Sequence, residues 1–190
     1  MPSVVNAIDA QMKALVEGCV RAGTPVPYLA GCDALPFADR AKVALFRSWR
    51  TFQAVIEVAD RTIKAWGELD DLLQEGDGRV SPWDYKSKGS APTQEYCEKY
   101  NTNQGDMYHL LLEGQGLKCS GRAKFTYIWP EFVSRGGLIQ FQHMNIDMET
   151  DPSRAMKILN AAAECLESPC PKNGALDCEY CNFIIKRRGY

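Results

Sequence analysis

The sequence predicts an α/β fold: a mixed central sheet flanked by helices, followed by a cysteine-rich C-terminal tail. Three observations predict it. Helical and strand periodicities alternate along the chain instead of separating into blocks. The strand-like stretches form two groups, three and then two, with one long helical pattern between them. The chain has 190 residues and is 45% hydrophobic, enough for one full core.

Val5, Ile8, Met12, Leu15, Val16 and Cys19 recur at helical spacing, and Gly23 follows as a stop. Thr24-Pro25-Val26-Pro27 is a rigid connector leading to Tyr28-Leu29-Ala30-Gly31-Cys32. A shorter helix is expected from about Phe37 to Trp49. Its Arg40, Lys42, Arg47 and Arg50 read first as a solvated face, with a nucleic-acid contact as the alternative. Thr51 to Ala59 alternates, with Phe52, Ala54, Ile56 and Val58 on one face, and forms a strand. Asp60-Arg61 turns the chain, and Thr62 to Gln74 is expected to continue as the second strand of a hairpin. After Gly76-Asp77-Gly78, Arg79 to Ser87 is the third strand. Pro82 cannot donate to a ladder, so one side of that strand is interrupted there.

Thr93 is an N-cap with Glu95 in the first turn, and the helix it opens ends at Gly114. Tyr96, Tyr100, Met107 and Leu111 define its apolar stripe. Gln104 and Tyr108, four apart, fall on or beside that stripe. Lys124 to Trp129 and Leu138 to Met148 are two more strands around Gly136-Gly137. Asp151-Pro152 starts the last helix, whose buried stripe is Ala155, Met156, Leu159, Ala162, Ala163 and Leu166. The expected organisation is one unit over residues 1–190. It comprises a helical part over 1–50, an α/β core over 51–166, and a tail over 167–190 that packs back on the helical part.

Composition excludes several classes. The net charge is -2, so any nucleic-acid contact must use a local patch. No apolar run approaches the ~18 residues of a membrane span. Met1 to Ala10 shows no secretory leader, which places the chain in the cytoplasm. There, eight cysteines are reduced thiols or metal ligands sooner than disulfides. No Walker loop or GxGxxG occurs. The only histidines, His109 and His143, give poor support to a histidine-rich zinc site or a Ser-His-Asp triad.

Chemistry concentrates in Trp83-Asp84-Tyr85-Lys86. On a strand, Asp84 and Lys86 share a face while Tyr85 points the other way. A carboxylate beside an ammonium, with Asp70 on the preceding strand, suits a divalent metal and a water nucleophile. The lysine adds positive charge where a phosphate transition state needs it. A surface ion pair is the plainer alternative.

Gly67-x-x-Asp70, then Asp84-x-Lys86, then Gln104-x-x-x-Tyr108 on the following helix resembles the RecB-like branch of the PD-(D/E)XK nuclease superfamily. In pattern it is nearest the CRISPR-associated exonucleases. The resemblance implies a restriction-endonuclease-like fold and a Mg²⁺- or Mn²⁺-dependent deoxyribonuclease. It implies that Asp70, Asp84 and the Tyr85 backbone carbonyl bind the metal, with Asp71 the alternate to Asp70. It implies that Lys86 positions the attacking water and that Gln104 and Tyr108 help place Lys86 and contact the scissile strand. Exonuclease action on single-stranded DNA or DNA ends follows from the same resemblance. Lys88, Lys118, Arg122 and Lys124 are candidates for the phosphate-binding patch. Many members carry a histidine upstream of the first aspartate. This chain has none before Asp70, and Glu57 is the nearest substitute.

Cys178-Glu179-Tyr180-Cys181 presents two thiolates to one metal. Similar nucleases join one early and three late cysteines on a 4Fe-4S cluster, and Cys32, Cys170, Cys178 and Cys181 fit that arithmetic. Zinc is the alternative, and Cys165 in place of Cys32 gives a wholly local site. Two competing functions stay open: a nuclease-like subunit that binds DNA or protein partners in a processing complex, and a metal-based redox protein.

Overall fold

A computed structural model describes residues 3–58, 61–169 and 178–188 of the chain. The opening amphipathic pattern forms α1 (Ser3–Ala22), closed by Gly23 at φ 65°. A 3-10 turn at Pro27–Leu29 follows the proline connector. Leu35–Pro36 then forms a short strand, β1, and α2 spans Arg40–Phe46, capped by Asp39 accepting from the Lys42 amide. The expected second helix is thus shorter at both ends, because residues 35 and 36 pair with β4 and the Phe37 amide donates to Leu72 O at 2.8 Å.

β2 (Gln53–Val58) and β3 (Arg61–Trp66) form the predicted hairpin, but as a separate two-stranded sheet. The expected continuous strand from Thr62 to Gln74 is a correction. The chain leaves the hairpin at Gly67 and re-enters structure as β4 (Asp71–Gln74) in the main sheet. The break has a local cause. The Gly67 and Leu69 amides donate to Phe52 O and Phe46 O at 3.1 and 2.9 Å. A Cβ at Gly67 would meet the Leu111 side chain at 3.0 Å, so a larger residue here would have to push that side chain aside by a few tenths of an ångström.

The main sheet has the order β1-β4-β5-β6-β7, with β5 (Val80–Ser87), β6 (Arg122–Val133) and β7 (Ile139–Glu149). All its pairings are antiparallel except β5 with β6. That parallel pair needs a crossover, which α3 (Gln94–Gly114) supplies. The β5–β6 ladder begins only at Trp83, after Pro82, as the missing amide requires. α4 (Pro152–Glu167) is capped by Asp151, and α5 spans Glu179–Arg188.

Three apolar clusters hold the layers. α1 and the connector cover Leu73, Trp83, Tyr85 and Ile128 on one sheet face. Cys97 of α3 packs on Phe125, Tyr127 and Ile146 on the other. Phe46, Phe52, Tyr108, Leu111 and Leu112 join α2, the hairpin and α3, with Met156, Leu159 and Ala163 of α4 against them. Burial of each large side chain here contributes roughly 2 kcal/mol.

Two predicted stripes are corrected. On α3, Tyr96 and Tyr100 face outward and pack on each other at 4.6 Å, while Cys97, Asn101, Gly105, Asp106, Tyr108 and His109 are buried with Leu111 and Leu112. The helix runs between the sheet and the hairpin, so its buried face is wider than one apolar row and includes polar groups. On α4, Ala162 and Leu166 are exposed. Among the described residues, no helix is long and apolar enough to cross a membrane.

Candidate active site

β4 ends at Asp71, opposite Trp83, so the edge of β5 from Asp84 to Ser87 has no strand beyond it on that side. By strand alternation, the N–H and C=O of Tyr85 point to the same open edge as those of Trp83. The Tyr85 amide is taken by Asp70 Oδ2 at 2.8 Å, which bends the start of β4 over the gap. α1 closes one side of this edge and α3 the other. The result is a pocket of about 420 Å³ whose polar lining includes Asp9, Lys13, Glu68, Asp70, Asp84, Lys86, Gln104 and Tyr108.

Asp84 and Lys86 lie on one face of β5, as their spacing predicts. Asp84 is 3% exposed. Its Oδ1 accepts from Gln104 Nε2 at 3.0 Å and faces the Tyr108 hydroxyl at 2.9 Å. That hydroxyl has a second acceptor, Glu68 O at 2.6 Å, and itself accepts from Gln104 Nε2 at 2.7 Å. Asn101 Nδ2 donates to Gln104 Oε1 at 3.4 Å, and Tyr127 donates its hydroxyl to Asn101 Oδ1. This chain fixes the Gln104 amide with its NH₂ toward Asp84. Gln104 and Tyr108 therefore contact Asp84, not Lys86.

Asp84 Oδ2 is buried against Lys86 Nζ, with which it is in ion-pair contact. Burial pushes the Asp84 carboxyl up to about 6, and the Asp70 charge adds to the rise; Lys86 offsets only part of it. Burial also raises the Tyr108 phenol far above its ordinary range, with the Asp84 charge adding to it. Asp70 Oδ1 is paired with Lys13 Nζ at 2.7 Å, and Lys13 also reaches Asp9 at 2.8 Å. Burial pulls Lys13 down, but its ion pairs with Asp70 and Asp9 outweigh it and leave a net rise. Two lysines thus neutralise two crowded carboxylates.

Asp71 has a different environment. It is fully buried and clamped by Arg40 at 2.8 and 2.7 Å, Arg47 at 3.0 Å and the Tyr85 hydroxyl at 3.2 Å. Glu17 of α1 completes the clamp against both arginines. Arg47 Nε also donates to Asp70 O at 2.7 Å, so the clamp holds the backbone that presents Asp70. Neither solvation nor a nucleic-acid contact describes Arg40 and Arg47, which were expected on a solvated helix face.

The residues present fit a hard divalent cation. Asp70 and Asp84 bring oxygen donors to one open edge, the buried Asp84 Oδ2 faces the Lys86 ammonium, and the Tyr85 carbonyl points to that edge. Among the described residues no three His, Cys, Asp or Glu side chains group as a metal site; of the four carboxylates that line the pocket, Asp70 and Asp84 are the two at the β5 edge. An ion held this way keeps several waters, as Mg²⁺ does.

The other predicted residues are dispersed. Lys88 follows the end of β5, with Nζ 3.4 Å from the Tyr96 ring centroid. Lys118 O bonds the Val80 amide, at the far end of β5, and Arg122 pairs there with Glu149. Lys124 is buried and paired with Asp147 at 2.5 Å. Glu57 lies on the hairpin, bonded by Thr62, and is not in the pocket. Cys178 accepts from the Cys181 amide at 3.4 Å, which holds its thiol below the usual range. Cys32 is elsewhere, near Asn145, and Cys165 is exposed on α4. Cys170 lies outside the described residues. The expected four-cysteine centre is therefore not assembled among the described residues. Sequence reasoning missed Lys13, Arg47, Glu68 and Asn101, whose roles depend on tertiary contacts that no local spacing announces.

No curated protein matches the chain. Among solved structures it is similar to the crystal structure of SSO0001, with TM-score 0.40 and 15% identity over 70% of this chain. The match spans 55% of that structure's length. The family model for the PD-(D/E)XK nuclease superfamily matches residues 19–185, a span that takes in Asp70, the Asp84-x-Lys86 strand and the Gln104-x-x-x-Tyr108 helix. With its mixed sheet flanked by helices and that strand at the sheet's open edge, the chain belongs to the PD-(D/E)XK nuclease superfamily.

Proposed function

We propose that the protein is a Mg²⁺- or Mn²⁺-dependent deoxyribonuclease that acts as an exonuclease on single-stranded DNA or DNA ends. The observation that carries the proposal is the buried Asp84 carboxylate, whose Oδ2 sits against the Lys86 ammonium in a pocket shared with Asp70. Asp70, Asp84 and the Tyr85 carbonyl would hold the ion, which supplies Lewis acidity toward a phosphodiester when bound. Lys86 positions the attacking water and places its charge beside the reacting phosphate. The water oxygen bonds phosphorus as the bond to the leaving nucleotide breaks, with no covalent enzyme intermediate. Gln104, Tyr108 and Asn101 hold the Asp84 carboxylate in one orientation before substrate arrives. The helical N-terminal part and the α/β part act as one unit, since α1 lines the pocket of the α/β part.

A second function is favoured by one contact, Lys13 on Asp70 at 2.7 Å, which neutralises a ligand in place of metal. It is a nuclease-like subunit that binds DNA or protein partners in a processing complex and cleaves little alone. One experiment separates the two: Mn²⁺-dependent digestion of end-labelled single-stranded DNA by anaerobically purified wild type, Asp84→Ala and Lys86→Ala. Cleavage by wild type that both substitutions remove supports the nuclease. Cleavage that survives them refutes the site, and DNA binding without cleavage by any form supports the subunit.

A further inference from the structure

Two of the four tryptophans lie together on the surface. Trp66 is 59% exposed and Trp49 41%, with ring centroids 5.5 Å apart. Arg50 lies over the Trp49 ring at 4.6 Å. Gln53 donates from Nε2 to Trp49 O at 2.8 Å and is the cross-strand partner of Trp66, which ties the α2–β2 loop to the hairpin's outer face. On that face Lys64 stands opposite Val55, which is 70% exposed. Glu57, the carboxylate of the row, is engaged by Thr62 at the far end. The inner face of the same hairpin packs into the core. Leaving two indoles in water forgoes the burial energy that large aromatics normally contribute, so the patch calls for an occupant.

A short stretch of chain joins the patch to the active site. Trp66 is two residues from Glu68, a pocket-lining residue, and four from Asp70, so a fully extended chain places it within ~14 Å of Asp70. The loop that carries Trp49 and Arg50 also fastens that segment, through Phe46 O, Phe52 O and the Arg47 bond to Asp70 O. Patch and catalytic segment are thus one mechanical piece.

We propose that Trp49, Trp66 and Arg50 form a platform on which unpaired bases of a single-stranded nucleic acid stack as the strand enters the pocket. The assignment of the strand's direction rests on the nuclease proposal above; the binding itself does not. Aromatic and guanidinium faces stack any base without reading its edges, while Arg50 and Lys64 attract the backbone. A duplex keeps its bases stacked inside and offers no such face. A protein partner suits the patch less well, because Gln53, Glu57, Thr62 and Lys64 interrupt its apolar surface.

The test is binding of labelled oligo(dT), and of a blunt duplex of equal length, in EDTA by fluorescence anisotropy. Trp49→Ala and Trp66→Ala are expected to weaken oligo(dT) binding at least about 10-fold each. The slope of log affinity against log salt should not change, because no phosphate contact is removed. Trp66→Phe should retain most of the affinity, and duplex binding should be unaffected. Wild-type affinity in both alanine variants overturns the platform, as does an equal loss on duplex accompanied by a fall in melting temperature. Loss of self-association with unchanged oligo(dT) binding overturns it in favour of a protein interface. Wild-type cleavage with Mn²⁺ is scored separately. Selective binding losses without any cleavage keep the platform and refute the nuclease. Cleavage with unaltered binding does the reverse.

Discussion

Replacing Asp84 by Asn should make the metal-free protein more stable while removing its response to metal. The side chain is 3% exposed, and its carboxyl is raised from 3.8 to about 6, mainly by burial and then by Asp70. In the unfolded chain Asp84 ionises near 3.8, so between that value and 6 the folded state binds more protons. Stability therefore falls as pH rises through this window, and the full penalty is present above it. That rise corresponds to about 3 kcal/mol carried by the folded metal-free protein at neutral pH. Asn keeps an oxygen for Gln104 and Tyr108 but places an unsatisfied NH₂ beside Lys86, which returns about 1–2 kcal/mol of the gain. The net expectation is a gain of about 1–2 kcal/mol, or about 3–6 °C in Tm. Thermal melts in EDTA at pH 7.5 and pH 4 measure it, and the advantage should shrink at the lower pH. Mn²⁺ at about 100 times its Kd should stabilise wild type by about 2.7 kcal/mol and leave Asp84→Asn unmoved. If Asp84→Asn melts below wild type in EDTA at pH 7.5, the ionised carboxylate is satisfied by its lysine, and the strain argument for a metal site is wrong.

Asp70 and Asp71 should separate cleanly under the same melts. Asp71→Ala leaves Arg40 and Arg47, 16% and 21% exposed, with Glu17 alone, and should cost about 3 kcal/mol, or roughly 6–12 °C. Asp70→Ala should change Tm by only a few degrees yet abolish both cleavage and the Mn²⁺ shift; the opposite pattern would exchange their roles. Lys13→Gln removes the cation that competes for Asp70, so Mn²⁺ should bind about 5-fold tighter while the metal-free protein loses about 1 kcal/mol. Weaker Mn²⁺ binding in that variant, followed by titration, would make Lys13 a supporting part of the site instead.

Much of the fold was legible because its signals are local. Thr93 and Asp151 cap helices where their sequence positions predicted. Pro82 interrupts one ladder for a reason that any strand assignment carries with it. The strand expected over residues 62–74 is two strands: Ile63 and Ala65 pack inward in the hairpin, while Leu72 and Leu73 are buried on opposite faces of the main sheet. The first strand ends where the Gly67 and Leu69 amides turn to Phe52 O and Phe46 O, bonds between separate segments that no local pattern announces. The α3 stripe failed for a related reason. An apolar count finds Tyr96 and Tyr100, but a helix sandwiched between a sheet and a hairpin buries its small and polar residues too.

The site divides along the same line. Strand parity alone aligns Asp84 with Lys86, and helical spacing alone puts Gln104 beside Tyr108. Parity also says that Asp70 and Asp71 face opposite ways, but not which of them faces the pocket. That choice is made by α2. Arg40 and Arg47 draw Asp71 inward, and Arg47 Nε then holds the Asp70 carbonyl, so the neighbouring side chain is left to reach the β5 edge. The charges that read as a solvated helix face are therefore what orients the candidate metal ligand. The buried clamp satisfies one carboxylate completely. The pocket crowds Asp70 and Asp84 together, relieved by Lys13 and Lys86, and the proposed metal would replace that relief. A stability role and the proposed binding role thus fall on adjacent aspartates, and their environments, not their sequence positions, tell them apart.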